Sequence, residues 1–185
     1  YYRTEQPSYY LGDSSFKLVT QGGSFKLGIP FSEIDRVYFG LGVERAHVTV
    51  SNNRSPNLLA FVKTYGNATS ATTVNFPFTI GWARDGRDSA LVPNNGRYQQ
   101  ANAEVGLLGG DLQYYQLRYQ DQYYYPIAKG YTLAFNGEVG YGHGYGNKAY
   151  PVTKNYYVGG IGSVRGYAAG SIGPFELNSA KTEKL

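Results

Sequence analysis

Near the C-terminal end of this 185-residue sequence, Val164-Arg165-Gly166-Tyr167 sets a guanidinium beside a glycine and a tyrosine. A group of this kind makes and breaks no bonds. It stays charged and presents five fixed donors, so the chemistry open to it is charge-assisted hydrogen bonding, to water or to a carboxylate. The adjoining Gly166 allows a close backbone turn beside it. Strand alternation turns two local carboxylates, Glu104 and Glu138, toward the polar side.

No other residues are spaced for reaction chemistry. No nucleophile elbow or spaced acid pair stands out, so no catalytic residues are assigned. His47 and His143 are far apart, and with no cysteine beside them they predict no metal site. Gly142-His143-Gly144-Tyr145-Gly146 lacks the following helix and Lys-Ser/Thr of a phosphate loop, and no cofactor is expected. Asn53-Arg54-Ser55 and Asn67-Ala68-Thr69 fit a glycosylation pattern but read as loop chemistry. Trp82 through Asp88 reads as an interfacial tryptophan followed by a solvated turn. The net charge of +4 is spread thinly, which argues against a nucleic-acid partner.

The elements that hold these residues are legible from composition and period. Tyrosine reaches 20 and glycine 25, with 9 phenylalanines and neither cysteine nor methionine. Mean hydropathy is −0.41, and no apolar run approaches the ~18 residues that a membrane-spanning helix needs. A barrel escapes that test, because only alternate strand residues face lipid.

Period-2 alternation recurs six times, each over about the ~9–11 residues of a tilted spanning strand. The clearest stretch is Thr73 to Ala83, with Val74, Phe76, Phe78, Ile80 and Trp82 on a lipid-facing side and Thr73, Asn75, Thr79 and Gly81 opposite. Tyr131 to His143 and Gln113 to Tyr123 repeat it, and Arg36 to Glu44, Lys17 to Ile29 and Arg97 to Leu108 do so more weakly. Pro30 to Asp35 and Pro126 to Gly130 read as compact turns, and Leu108 to Asp111 as a corner on the other side. Val50 to Thr72 is long, and Ser55-Pro56-Asn57 can open a short helix that Gly66 ends.

The fold class expected is all-β, an antiparallel transmembrane β-barrel in an incomplete piece of about six strands, since single-chain barrels begin at about eight. Residues 1–174 form the partial barrel domain and 175–185 a polar tail. No signal peptide precedes Tyr1, so the chain reads as mature or cut from something longer.

The run Asn155-Tyr156-Tyr157-Val158-Gly159-Gly160-Ile161-Gly162-Ser163-Val164-Arg165-Gly166-Tyr167, followed by Gly173-Pro174, resembles the conserved sixth outer loop of the BamA family. Gly28-Ile29-Pro30 before an acidic turn, Trp82 and Asp85 flanking an arginine, and Pro93-Asn94-Asn95-Gly96 resemble the same family in the same order. The resemblance runs from about Lys17 to Pro174. It implies a barrel of ~16 strands preceded by periplasmic POTRA domains, in the bacterial outer membrane. It further implies a non-enzymatic role in inserting other barrels, with outer-membrane lipids, unfolded outer-membrane clients and accessory assembly lipoproteins as partners. Its arginine loop folds back into the lumen, with partners on strands beyond Leu185. A two-partner secretion or TamA-like translocator would share that loop; a passive porin would not.

Overall fold

The computed structural model describes residues 1–7, 16–50, 56–160, 163–168 and 172; Pro174 and the expected polar tail lie outside them. Among the described residues eight strands are present: β1 (Tyr2–Pro7), β2 (Phe16–Pro30), β3 (Asp35–Val50), β4 (Ser70–Asn75), β5 (Pro77–Asp85), β6 (Gly96–Gly106), β7 (Tyr114–Ala128) and β8 (Tyr131–Gly144). A helix, α1 (Pro56–Tyr65), lies between β3 and β4. The order is β1-β2-β3-β5-β6-β7-β8, every pairing is antiparallel, and β4 also pairs with β3. Among the described residues the sheet is open, with β1 and β8 as its edges. It is an incomplete barrel wall.

All six expected stretches are strands. β4 and β5 are two halves of the Thr73–Ala83 stretch: they meet β3 in one continuous register, Glu44 opposite Asn75 and Leu41 opposite Phe78. The break falls at Phe76-Pro77, where proline has no N–H to donate. Three boundaries differ from expectation. β1 carries no readable alternation, β3 runs on to Val50, and β7 continues through Pro126 to Ala128 with a register irregularity there. The expected Pro126–Gly130 turn shrinks to Lys129-Gly130, with Gly130 at φ 81°. A proline ends pairing only where its missing donor cannot be absorbed, and a bulge absorbs it.

One face carries Phe25, Leu27, Phe39, Leu41, Phe78, Ile80, Leu133, Phe135 and Val139, all exposed. Phe25 is 72% exposed and Phe135 57%. Each side chain of that size left in water forgoes ~1.5–3 kcal/mol of burial, and a contiguous patch of them marks a surface that meets lipid or another apolar partner. The opposite face is small and polar over the same span.

On β3 the apolar face changes sides. Val37, Phe39, Leu41 and Val43 point outward, whereas from Arg45 onward the outward residues are Arg45, His47 and Thr49, and Ala46, Val48 and Val50 are buried inward. Beneath them α1 inserts Leu58, Phe61 and Val62, three buried residues at helical spacing, which join Leu18, Ala71, Leu112 and Tyr114 in one core. Alternation therefore does not keep a greasy outside throughout. Past this switch the exterior is polar, and the concave side becomes the dry one because a helix fills it.

Turns 31–34, 86–95 and 129–130 share one end of the sheet. The α1 connection, residues 107–113 and the segment after β8 share the other. Residues 86–95 form an extended connection at the end that otherwise carries the compact turns. There Asp88 Oδ1 accepts the backbone N–H groups of Asn94 (2.9 Å) and Asn95 (3.1 Å), which hold its carboxyl below the usual range. Arg87 is not solvated as expected: it bonds Asp85 at 2.7 Å and lies 4.7 Å from the Tyr98 ring.

Candidate functional site: a segment docked on the concave face

The concave face is lined by the inward phase of the strands. Tyr38 on β3 lies across Gly81, bonds Asn102, and accepts Gln100 Nε2 at 2.9 Å. Glu104, Gln116, Arg118, Gln120 and Glu138 face the same way, by their register opposite one another.

Onto this face the chain returns after β8. Tyr145 N donates to Gln113 O at 3.1 Å, and Lys148 Nζ to Asp111 O at 2.8 Å. Tyr150 Oη donates to Gln116 Oε1 at 3.1 Å. Two glycines of β8 make room for the rings. A Cβ on Gly142 would stand 2.5 Å from the Tyr150 ring, and one on Gly140 would stand 2.8 Å from that of Tyr156. Burial pushes the Tyr150 phenol up to about 12.

A further contact of this segment is an ion pair. Lys154, in a short 3-10 turn over Val152–Lys154, sits 3.1 Å from Glu44 on β3 and 3.3 Å from Glu104 on β6. Its side chain is 15% exposed. Tyr114 Oη donates to Glu104 Oε1 at 2.5 Å and accepts Asn75 Nδ2 at 3.1 Å, and the Lys154 ammonium lies 5.5 Å from the Tyr114 ring. Burial works against a charged lysine here, but the Glu104 and Glu44 carboxylates outweigh it and Lys154 is held above its ordinary value. One cation thus bridges two strands of the wall and ties the returning segment to both.

Glu104 and Glu138, the expected inward carboxylates, each meet a cation other than Arg165. Glu104 meets Lys154, and Glu138 takes both ends of the Arg118 guanidinium across the β7–β8 pair, at 2.8 and 2.9 Å. Val164, Arg165 and Tyr167 are exposed on a turn where Gly166 has φ 90° and Gly160 N donates to Tyr167 O at 3.1 Å. Among the described residues the Arg165 side chain makes no hydrogen bond or ion pair. Val74, Phe78 and Ile80 are exposed on the outer face, with Phe76 and Trp82 half-buried beside them. Trp82 Nε1 donates to Asp35 Oδ1 at 3.1 Å. His47 and His143 bond or stack on separate strands, and no cluster of three metal-ligating residues occurs among the described residues.

Lys154 and Glu44 escaped sequence reasoning. Glu44 closes the Arg36–Glu44 stretch in the inward phase, the one available signal, but nothing in the sequence pairs residues 110 positions apart.

The Omp85 superfamily domain matches residues 3–182. The chain is 40% identical over 165 residues to the outer membrane protein assembly factor BamA of Neisseria meningitidis serogroup B, a match covering 86% of the chain and 21% of that protein. It is 31% identical over 91 residues to the mouse sorting and assembly machinery component 50 homolog, covering 49% of the chain and 19% of that protein. Among solved structures it resembles the crystal structure of BamA from Haemophilus ducreyi lacking POTRA domains 1–3, with a TM-score of 0.81 and 26% identity over 94% of the chain and 34% of that one. The chain spans about a fifth of the curated relatives it matches.

Proposed function

The chain belongs to the Omp85 superfamily and is a section of a bacterial outer-membrane β-barrel, and from that premise we propose that its parent protein assists the folding and insertion of other β-barrels into that membrane. The observation that carries this reading is the 40% identity, over 86% of the chain, to a protein named as an outer-membrane assembly factor. The second relative, named as a sorting and assembly component, supports assembly over the translocator and porin readings.

The parent acts without bond chemistry. A barrel that perturbs the bilayer and offers a weakly paired seam lowers the barrier for an incoming strand edge, whose unpaired donors and acceptors seek a template. This section supplies wall and loop. Val74, Phe76, Phe78, Ile80 and Trp82 face hydrocarbon. The segment held by Lys154 carries Val164-Arg165-Gly166-Tyr167 into the lumen, where Arg165 docks on carboxylates of strands outside the chain and Gly166 provides the turn. Clients are unfolded outer-membrane proteins, and accessory lipoproteins join the whole protein.

The test is reconstitution of the parent protein in lipid vesicles with a small unfolded barrel as client, followed by heat-modifiable gel mobility. Client folding faster than in empty vesicles is expected. Equal rates in both would contradict the reading.

A further inference from the structure

The outer rim of the wall is charged differently at its two ends. At the short-turn end two cations of the outer face are matched: Arg84 lies 3.9 Å from Asp35, and Arg97 chelates Asp121. At the end of the long connections the match fails. Arg3, Gln21 and Arg45 form one row across β1, β2 and β3, in register and on the outer face. Lys17 stands two rows further along the same face. Glu5 is shared between Arg3 at 2.7 Å and Lys17 at 3.4 Å. Arg45 makes no hydrogen bond or ion pair with the described residues, so among these residues three cations of the outer face meet one carboxylate.

Directly below this row lies an apolar groove of about 510 Å³, walled by Phe25, Leu41, Val43, Phe76 and Leu107. It opens at Gly23, where an added Cβ would meet nothing within 4 Å. Arg45 is also the point at which the apolar face of β3 changes sides, so the cationic row marks the level where hydrocarbon ends. Long connections belong to the external side of outer-membrane barrels, which assigns this rim to the external leaflet.

We propose that the Arg3, Lys17 and Arg45 row and the groove beneath it bind a phosphorylated, multiply acylated glycolipid of the external leaflet. Acyl chains fill the groove, and phosphates meet the row. With strands ~4.7–4.9 Å apart, Arg3 and Arg45 stand ~9–10 Å apart at their Cα atoms, wide enough to engage two phosphates on one molecule. Guanidinium and phosphate pair by short, charge-assisted bonds. The excess positive charge selects an anionic headgroup, and continuity with the hydrocarbon band selects a lipid over a protein. The site needs the barrel's orientation in the membrane but not its assembly activity, so a negative client-folding assay leaves it standing.

The test is native mass spectrometry of the delipidated full-length parent protein, titrated with bisphosphorylated lipid A, its monophosphorylated form, and phosphatidylglycerol. The unaltered protein should prefer the bisphosphorylated lipid. Lys17→Gln with Arg45→Gln should weaken it by about tenfold and erase the preference between the two lipid A forms. Gly23→Leu should lower retention of every acylated ligand by blocking the groove, and Arg84→Gln, at the opposite rim, should change nothing. Heat-modifiable mobility confirms that each variant is folded; should Gly23→Leu not fold, the double variant decides. Equal retention of phosphatidylglycerol and bisphosphorylated lipid A, or unchanged binding by the double variant, would overturn the proposal.

Discussion

Lys154 closes on Glu44 at 3.1 Å across 110 positions of sequence, and in doing so fastens the segment after β8 to a strand laid down near the start of the chain. The contact is local in space and long-range in every other sense.

Removing that cation should release the segment. Lys154→Met in the parent protein leaves Glu44 and Glu104 facing one another without their shared partner, which costs about 1.5–3 kcal/mol, the range for bonds to charged groups. Limited proteolysis between Tyr145 and Val158 should then cut the variant faster. Adding Glu44→Gln should restore part of the protection, because it removes one of the two stranded charges; strictly additive losses would argue against a bridge.

Two glycines of β8 are predicted to be as important as the ions. Gly142→Val puts a side chain where the Tyr150 ring lies, and Gly140→Val does the same to Tyr156. Valine suits a strand, so secondary structure should persist while the docked segment is displaced. The expected result is unchanged circular dichroism with raised protease sensitivity after Gly144. Ala substituted for Gly137, where a Cβ meets nothing within 4 Å, should be silent.

The pH response has opposite signs at the two ends of the sheet. Lys154 is raised by its carboxylates, so its contribution is fully present below the unfolded value of ~10.4 and fades only as pH rises through the higher folded value. Asp88 is lowered by the Asn94 and Asn95 N–H groups, so its contribution is present above the unfolded ~3.9 and is lost as pH falls through the lower folded value. Hydrogen exchange of the docked segment should be flat from neutral to about pH 10 once corrected for intrinsic rates, and the 86–95 connection should loosen only in strong acid. Undocking of the segment near pH 7 would contradict this.

If Arg165 docks in the lumen as proposed, Arg165→Ala in the parent protein should lower outer-membrane assembly and the heat stability of the folded barrel. Arg165→Lys should rescue little, because an ammonium lacks the planar fork. Full assembly and unchanged heat stability in Arg165→Ala would remove the anchoring role.

How far the sequence spoke depends on what each face touches. Six strands were legible because an apolar outer face and a polar inner one enforce period 2, and α1 was legible because Pro56 and Gly66 punctuate it. β1 was missed because Tyr2–Pro7 alternates no apolar set. The inverted end of β3 was missed because α1, a tertiary partner, makes Ala46, Val48 and Val50 the buried phase there. Alternation puts Glu104 and Glu138 on the same face as Gln116 and Gln120, which the strand registers set opposite them. Their cations were not legible, because Lys154 and Arg118 reach them through chain reversal and register, which no local pattern encodes.

Spin labels at single cysteines report the two faces most directly, and the chain itself carries no competing cysteine. Labels at Phe39, Ile80 and Phe135 of the parent protein in bilayers should be reached by oxygen and shielded from a water-soluble nickel complex, whereas labels at Gln120 and His47 should show the reverse. Labels at Ile80 and Phe135 open to the nickel complex would contradict a wall whose apolar face meets hydrocarbon.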